Sequence, residues 1–306
     1  MGRGANRKSS ILGTCLILLA ALLWGSSFAV RKMGMDEIGP LMQNAARFFV
    51  AFLFMLAVLW IKNSRRSYNI ERTGEGRTDN VPSVRTQILR GIIIGSSFAI
   101  AAMLQQLGLN LAAAGQTGFI TSMYTVLVPV ISCVFLKEKM TGWIVAAMIC
   151  SVGGLYFITG GISGISLGII ILFGGSIFYA LQIILIDRLI HGTDPVLLVT
   201  VQVAMGTLIN LAAAILTREP FEWHMLIDGG PVILYAGIMS LGVANLCQFA
   251  GQQWVSPQTA AIGCSFESVF GLLFGILLLG ERFTLLQLIG CALIFASLLL
   301  SQKTNV

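Results

Sequence analysis

Ten apolar stretches punctuate the chain, at about residues 11–30, 39–61, 88–109, 112–136, 142–159, 165–186, 195–217, 231–253, 257–279 and 285–302. A helix that crosses a bilayer needs roughly 20 apolar residues. Inside lipid each backbone N–H and C=O must also find a partner within the protein, which a helix supplies. The pattern therefore predicts an all-α integral membrane protein of ten transmembrane helices with no sizeable soluble domain. Residues 62–87 form the only long polar stretch and are expected as a mobile cytoplasmic loop; residues 1–10 are expected as a cytoplasmic tail. Helix ends are legible too. Pro40 and Pro231 suit first turns, Ser256-Pro257 reads as an N-cap followed by proline, and Thr284 to Gln287 reads as a capping box.

The second half of the chain echoes the first. Leu136-Lys137-Glu138-Lys139-Met140-Thr141 recurs as Leu279-Gly280-Glu281-Arg282-Phe283-Thr284, an offset of 143 that holds without a gap from Ser97 to Leu155. Five spans per copy is an odd number, so the second copy enters the membrane from the opposite side. The expected architecture is two inverted five-helix repeats, residues 11–160 and 165–302, a plan used by many secondary transporters.

Composition agrees with the pattern. Charged residues make up 10% of the chain, hydrophobic residues 56%, and mean hydropathy is +0.88. The net charge of +6 is no nucleic-acid signature, because the basic residues sort by loop. Arg3, Arg7, Lys8, the seven between spans two and three, Lys137, Lys139, Arg188 and Lys303 fall on one side. Arg31, Lys32, Arg218 and Arg282 fall on the other, so both termini are expected in the cytoplasm. The opening basic-then-apolar run reads as a span, since no A-x-A-like cleavage site follows it. The six cysteines lie within spans without a C-x-x-C pair and read as packing residues. Gly91-x-x-x-Gly95 and Gly271-x-x-x-Gly275 read as close helix contacts within one chain, with a dimer seam as the alternative. The chain is expected as a monomer or homodimer.

Glu267 is the most informative residue. It lies about ten residues into span nine, roughly 15 Å along a helix, near mid-membrane. Its neighbours at a spacing of four are Gly263, Gly271 and Gly275, so the carboxylate shares a stripe with glycines that faces other helices or a cavity. A charge at that depth marks a pathway or a structural ion pair. Arg47 is the only basic residue read as deep in a span, on one face with Gln43 and Asn44. It either pairs within the bundle, with Glu267 the obvious acid, or snorkels to the interface. Ser97, Ala101, Gln105 and Gly108 recur as Ser240, Ala244, Gln248 and Gly251, with Asn245 beside them. These polar faces either line a central cavity or bond helix to helix. Tyr124 is the repeat-equivalent of Glu267; Pro129 follows it and is expected to bend span four alone. Trp24-Gly25 and Tyr179-Ala180 are aromatic–small pairs that frame a pathway or simply pack. Glu138 and Glu281 occupy equivalent turns, where an acid suits the start of the following helix.

Three stretches give the chain a family likeness. Trp24-Gly25-Ser26-Ser27-Phe28, Val128-Pro129-Val130 through Phe135-Leu136-Lys137-Glu138, and Phe266-Glu267-Ser268-Val269-Phe270 through Leu278-Leu279-Gly280-Glu281 resemble motifs of the drug/metabolite transporter superfamily, specifically its ten-helix EamA type. The chain departs at Ser268, where the family often has proline, and with it a helix break in span nine. The resemblance implies export of small metabolites or drugs across the plasma (inner) membrane through a cavity built from both halves. No cofactor is expected. No nucleotide-binding G-x-x-x-x-G-K-[ST] occurs, so the drive is an ion gradient, with Glu267 the natural proton site, or the substrate's own gradient. Two alternatives are an intramembrane enzyme and a passive channel or assembly protein. The enzyme lacks a histidine near Gly161-Ile162-Ser163-Gly164. The channel lacks a ring of repeated polar residues.

Overall fold

The computed structural model describes residues 7–33, 38–73, 82–136, 142–159, 166–220, 222–255 and 257–302. Glu138, the Ser256 cap, the Gly160–Gly164 junction, residues 1–6 and residues 74–81 of the polar stretch lie outside the described residues. The described chain is helical: α1 (Arg7–Met33), α2 (Pro40–Thr73), α3 (Val84–Leu111), α4 (Ala114–Thr121), α5 (Tyr124–Leu136), α6 (Gly142–Thr159), α7 (Leu167–Leu189), α8 (Pro195–Leu216), α9 (Trp223–Asp228), α10 (Gly230–Tyr235), a π segment (Ala236–Val243), α11 (Ala244–Gln252), α12 (Pro257–Leu279) and α13 (Leu285–Gln302). Counted as spans, α4 with α5 make one and α10 through α11 another. Among the described residues eight spans are long and apolar enough to cross a membrane, and α6 and α13 contain shorter apolar helices, Val145–Gly154 and Leu285–Ser297. Ile149, Leu208, Leu216 and Leu277 are exposed on the outside of the bundle, an apolar surface that suits lipid and not water.

The polar stretch is not all loop. α2 continues to Thr73, because no glycine or proline interrupts Lys62 to Thr73 and Gly74 is the first breaker. α3 then begins two residues after Pro82, capped by Ser83 Oγ accepting from Thr86 N at 3.2 Å. The capping box at the start of α13 forms: Thr284 N donates to Gln287 Oε1 at 2.9 Å and Gln287 N to Thr284 Oγ1 at 3.3 Å.

Helix contacts come in matched pairs. α1 packs on α12, and its counterpart under exchange of the halves, α7, packs on α4 and α5. α3 packs on α7 as α1 packs on α11 and the π segment; α3 packs on α8 as α2 packs on α10 and the π segment. The α2–α8, α6–α13 and α4–α12 contacts map onto themselves. Glycines set the approach. A Cβ at Gly91 would lie 2.8 Å from Val201 Cβ, and one at Gly95 2.8 Å from Gln202 Cα, so this G-x-x-x-G seats α3 on α8 within one chain. Gly271 likewise faces Phe28, and Gly275 faces Glu281.

Two spans are irregular, in different ways. Span four breaks at Ser122–Met123, ahead of the bend expected at Pro129; α12, its counterpart, runs unbroken through Glu267 and Ser268. Pro129 donates no hydrogen bond and its ring crowds the Thr125 carbonyl, which weakens the helix on its N-terminal side. The break is tolerated because its backbone is re-satisfied: Ser176 Oγ donates to Ile120 O at 2.8 Å and Ser122 Oγ to Phe119 O at 2.8 Å. In span eight, π winding frees carbonyls that side chains then take. Trp24 Nε1 donates to Ser240 O at 2.9 Å, and Asn245 Nδ2 to Leu241 O at 2.8 Å.

Candidate functional site

Both irregular spans border one internal cavity. Trp24, Ser27, Phe28 and Arg31 of α1 line it, with Arg47 of α2, Phe98, Ala102 and Gln105 of α3 and Tyr124 of α5. Tyr179, Gln182 and Ile183 of α7, Ser240 and Leu241 of the π segment, Gln248 of α11, and Cys264 and Glu267 of α12 complete it. Its free volume is about 30 Å³. At about 10–15 Å³ for each water centre, that is room for roughly two waters and for no organic molecule.

Glu267 is 4% exposed, Arg47 2% and Arg31 1%. The main correction to the sequence reading is Arg31, which was assigned to the outer loop with Lys32. It is instead the largest fully buried side chain among the described residues. Its Nε donates to Ser27 O at 3.3 Å, Nη1 to Gln106 Oε1 at 3.1 Å and Nη2 to Gln105 Oε1 at 3.0 Å, and the guanidinium sits 5.2 Å from the Phe28 ring centroid. The signal was there: Trp24, Ser27, Phe28 and Arg31 lie at helical spacings of three, four and seven. Arg47 faces the bundle, not the interface. Its Nε donates to Asn44 Oδ1 at 2.6 Å and its guanidinium lies 5.3 Å from the Phe48 ring centroid. Arg47 makes no ion pair with Glu267; the cation whose field Glu267 feels is Arg31. Tyr124 lies within electrostatic range of Glu267, yet its buried hydroxyl makes no hydrogen bond of good geometry.

Seven residues singled out from the sequence thus meet at one cavity: Trp24, Arg47, Gln105, Tyr124, Ser240, Gln248 and Glu267. Two do not line it. Ser97 donates to Phe178 O at 2.9 Å and borders a separate apolar cavity with Ile100, Ile131 and Leu181. Its repeat-equivalent Ser240, within the π segment, does line the central cavity, and its Oγ donates to Ser27 Oγ at 3.1 Å. Asn245 stands one layer back. Gln202 Nε2 donates to Asn245 Oδ1 at 3.1 Å, and Gln182 Nε2 donates to Gln202 Oε1 at 3.3 Å and reaches Gln248 Oε1 at 3.5 Å. Gln106, Gln182 and Gln202 were not anticipated, since a lone amide in an apolar run carries no periodic signal. On the other flank, Gln106 Nε2 donates to Gln43 Oε1, and Asn44 Nδ2 donates to Asn210 Oδ1 at 2.6 Å.

Carboxylates also tie the two halves together at helix ends. Glu281 accepts from Ala114 N at 2.7 Å and Gly115 N at 3.0 Å, so it caps α4 in the other half and not its own next helix, as the sequence had implied. Glu219 accepts from Leu41 N at 3.0 Å and Met42 N at 2.7 Å, capping α2 in the same manner. An acid at a helix N-terminus meets free N–H groups and the positive end of the dipole. Glu281→Ala should therefore lower stability by about 1–2 kcal/mol, the cost of a lost cap. Glu281→Gln, which keeps one acceptor, should lose less. Thermal unfolding of the two variants in lipid nanodiscs tests this; equal melting temperatures across wild type and both variants would refute it.

Comparison with known proteins fits this geometry. A protein of Archaeoglobus fulgidus described as an uncharacterized transporter is 28% identical over 297 residues, 97% of this chain and 87% of its own. Another, the uncharacterized transporter YoaV of Bacillus subtilis, is 22% identical, covering 94% of this chain and 96% of its own. A solved structure described only as a crystal structure of a protein superposes with a TM-score of 0.68 over 98% of this chain and 100% of its own, at 16% identity, and so shares the fold. Residues 11–160 and 166–302 each match the EamA-like transporter family. The chain, a multi-pass membrane protein and a transporter rather than an enzyme, belongs to the EamA-like transporter family.

Proposed function

We propose that this protein is a secondary transporter that exports small metabolites across the plasma membrane by alternating access, its two halves forming an inverted repeat around the central cavity. One observation carries this most directly: a single buried compartment receives charged and amide side chains from both halves, with Glu267 inside it. A charge buried in the membrane region is costly unless it serves a pathway or is fully paired, and Glu267 has no ion-pair partner among the described residues. The matched helix contacts support a twofold exchange of the halves, and five spans per half would make that axis lie in the membrane plane.

At about 30 Å³ the cavity cannot take a substrate without movement of its walls. Alternating access supplies that movement, and the broken span four and the π segment are where backbone hydrogen bonds have already been exchanged for side-chain partners. Glu267 is the proposed coupling residue: a proton arriving there, or leaving, changes the charge of the compartment by one. With Arg31 no longer counted among outer cations, the basic bias toward the side of the termini grows, and both termini are assigned to the cytoplasm.

Expression in a bacterial strain stripped of its own exporters, followed by paired intracellular and extracellular metabolite profiling, tests the proposal. At least one small metabolite should shift from cells to medium relative to cells carrying empty vector. Identical profiles across growth conditions would count against export.

A further inference from the structure

The charges of the cavity do not cancel. Two guanidiniums and one carboxylate line it, each no more than 4% exposed. Arg31 is committed: three of its nitrogens donate to Ser27, Gln106 and Gln105, and it is the cation opposite Glu267. Arg47 is the surplus. A guanidinium carries five donors, and Arg47 spends only its Nε, on Asn44. Among the described residues its two terminal nitrogens find no hydrogen-bond partner, and the side chain lines the cavity. It also lies close enough to Arg31 for the two charges to repel. The Tyr124 hydroxyl borders the same space, beside the Glu267 carboxylate.

We propose that the substrate is a small organic anion, its carboxylate or equivalent oxyanion taken by the free edge of the Arg47 guanidinium and its apolar body lying against the rings of Trp24, Phe98 and Tyr179. This rests on the transporter reading above. A planar guanidinium edge with parallel N–H groups matches a carboxylate or phosphate oxygen pair. An anion supplies the charge that the compartment lacks. A cation of the same shape meets Arg47 unshielded, where little water screens the repulsion. The aromatic rings set the body: Phe98 and Tyr179 stack edge-on with centroids 5.8 Å apart, and Tyr124 lies 6.2 Å from Tyr179.

The test uses the full chain in lipid nanodiscs and matched probes. Benzoate, phenylacetate and hippurate are the carboxylate arm, phenyl phosphate the phosphate arm, and benzylamine and phenethylamine the cationic isosteres. Ligand-induced thermal shift and equilibrium binding are read for wild type, Arg47→Gln and Arg47→Lys. Acids should stabilise the wild type and amines should not. Arg47→Gln should weaken acid binding about tenfold or more, as expected for a lost charge-assisted hydrogen-bonded pair; Arg47→Lys should weaken it less. The two anionic arms distinguish carboxylate from phosphate as the group bound. Amines binding the wild type as tightly as their acid counterparts would overturn the proposal without recourse to any variant. So would acids that bind Arg47→Gln unchanged, or a panel in which no anion binds. Exchange by proteoliposomes separates the two readings: acids that bind but are not exchanged would end the transporter reading and keep the anion site. Exchange of amines alone would do the reverse.

Discussion

Glu267→Gln protein should insert, fold and melt near the wild-type temperature, while its transport falls by more than tenfold and no longer responds to a pH gradient. Both halves of that outcome come from the same geometry. The carboxylate is 4% exposed, borders a cavity with room for about two waters, and has no ion pair. Leaving a charge in such a place costs several kcal/mol before any compensation; an isosteric neutral amide relieves that cost but leaves Arg31 and Arg47 without their one counter-charge in the cavity, and the two effects oppose. The same replacement removes the only acid among the cavity-lining side chains, and with it the carboxylate there that can take up or release a proton. Proteoliposome flux with and without an imposed pH gradient, set beside thermal unfolding, checks both. Full flux with an intact pH response would end the coupling role of Glu267. A large fall in melting temperature would show instead that the residue holds the helices together.

What could be read from the chain alone divides along physical lines. Span positions and the 143-residue offset were legible because membrane helices must be continuously apolar, and a duplicated gene keeps its register. Glu267 and Tyr124 stood out because a polar group amid glycines or at a repeat-equivalent position is rare against that background. Arg31 was misplaced because it neighbours Lys32 at a span end, where a cation ordinarily reaches for headgroups. Only the packing shows that Gln105 and Gln106 draw it inward. The break in span four lies ahead of the turn that Pro129 itself weakens, and its exact point depends on which carbonyls find donors. Here Ser176, from the other half, decides it. The π segment had no sequence signal at all: its freed carbonyl at Ser240 is held by Trp24, a residue 216 positions away. Ser97 and Ser240, equivalent under the 143-residue offset, border different cavities.

Gly25→Ala should be among the most damaging small substitutions in the bundle, lowering stability by about 1–3 kcal/mol, in the range of overpacked cores, and abolishing transport as well. α1 crosses α12 at this glycine. A Cβ there would lie 2.4 Å from Phe270 Cβ, 2.7 Å from Glu267 O and 2.9 Å from Gly271 N. Those neighbours are backbone and a Cβ, which cannot swing aside as a side-chain tip can, so the helices must separate. The helix displaced is the one that carries Glu267, and it moves away from Arg31 on α1. The contrast is Gly174→Ala in α7, where a Cβ would meet only Leu104 Cδ1 at 3.7 Å, an ordinary contact. That substitution should be neutral or stabilise by up to about 1 kcal/mol, from the better helix propensity of alanine. Both are one methyl group added at a glycine inside a membrane helix, so composition and hydropathy predict the same result for each. Thermal unfolding and proteoliposome flux of the pair decide between them: a loss confined to Gly25→Ala locates the critical approach at the α1–α12 crossing, whereas matching behaviour would mean that the crossing is looser than 2.4 Å implies and that Glu267 is positioned by something else.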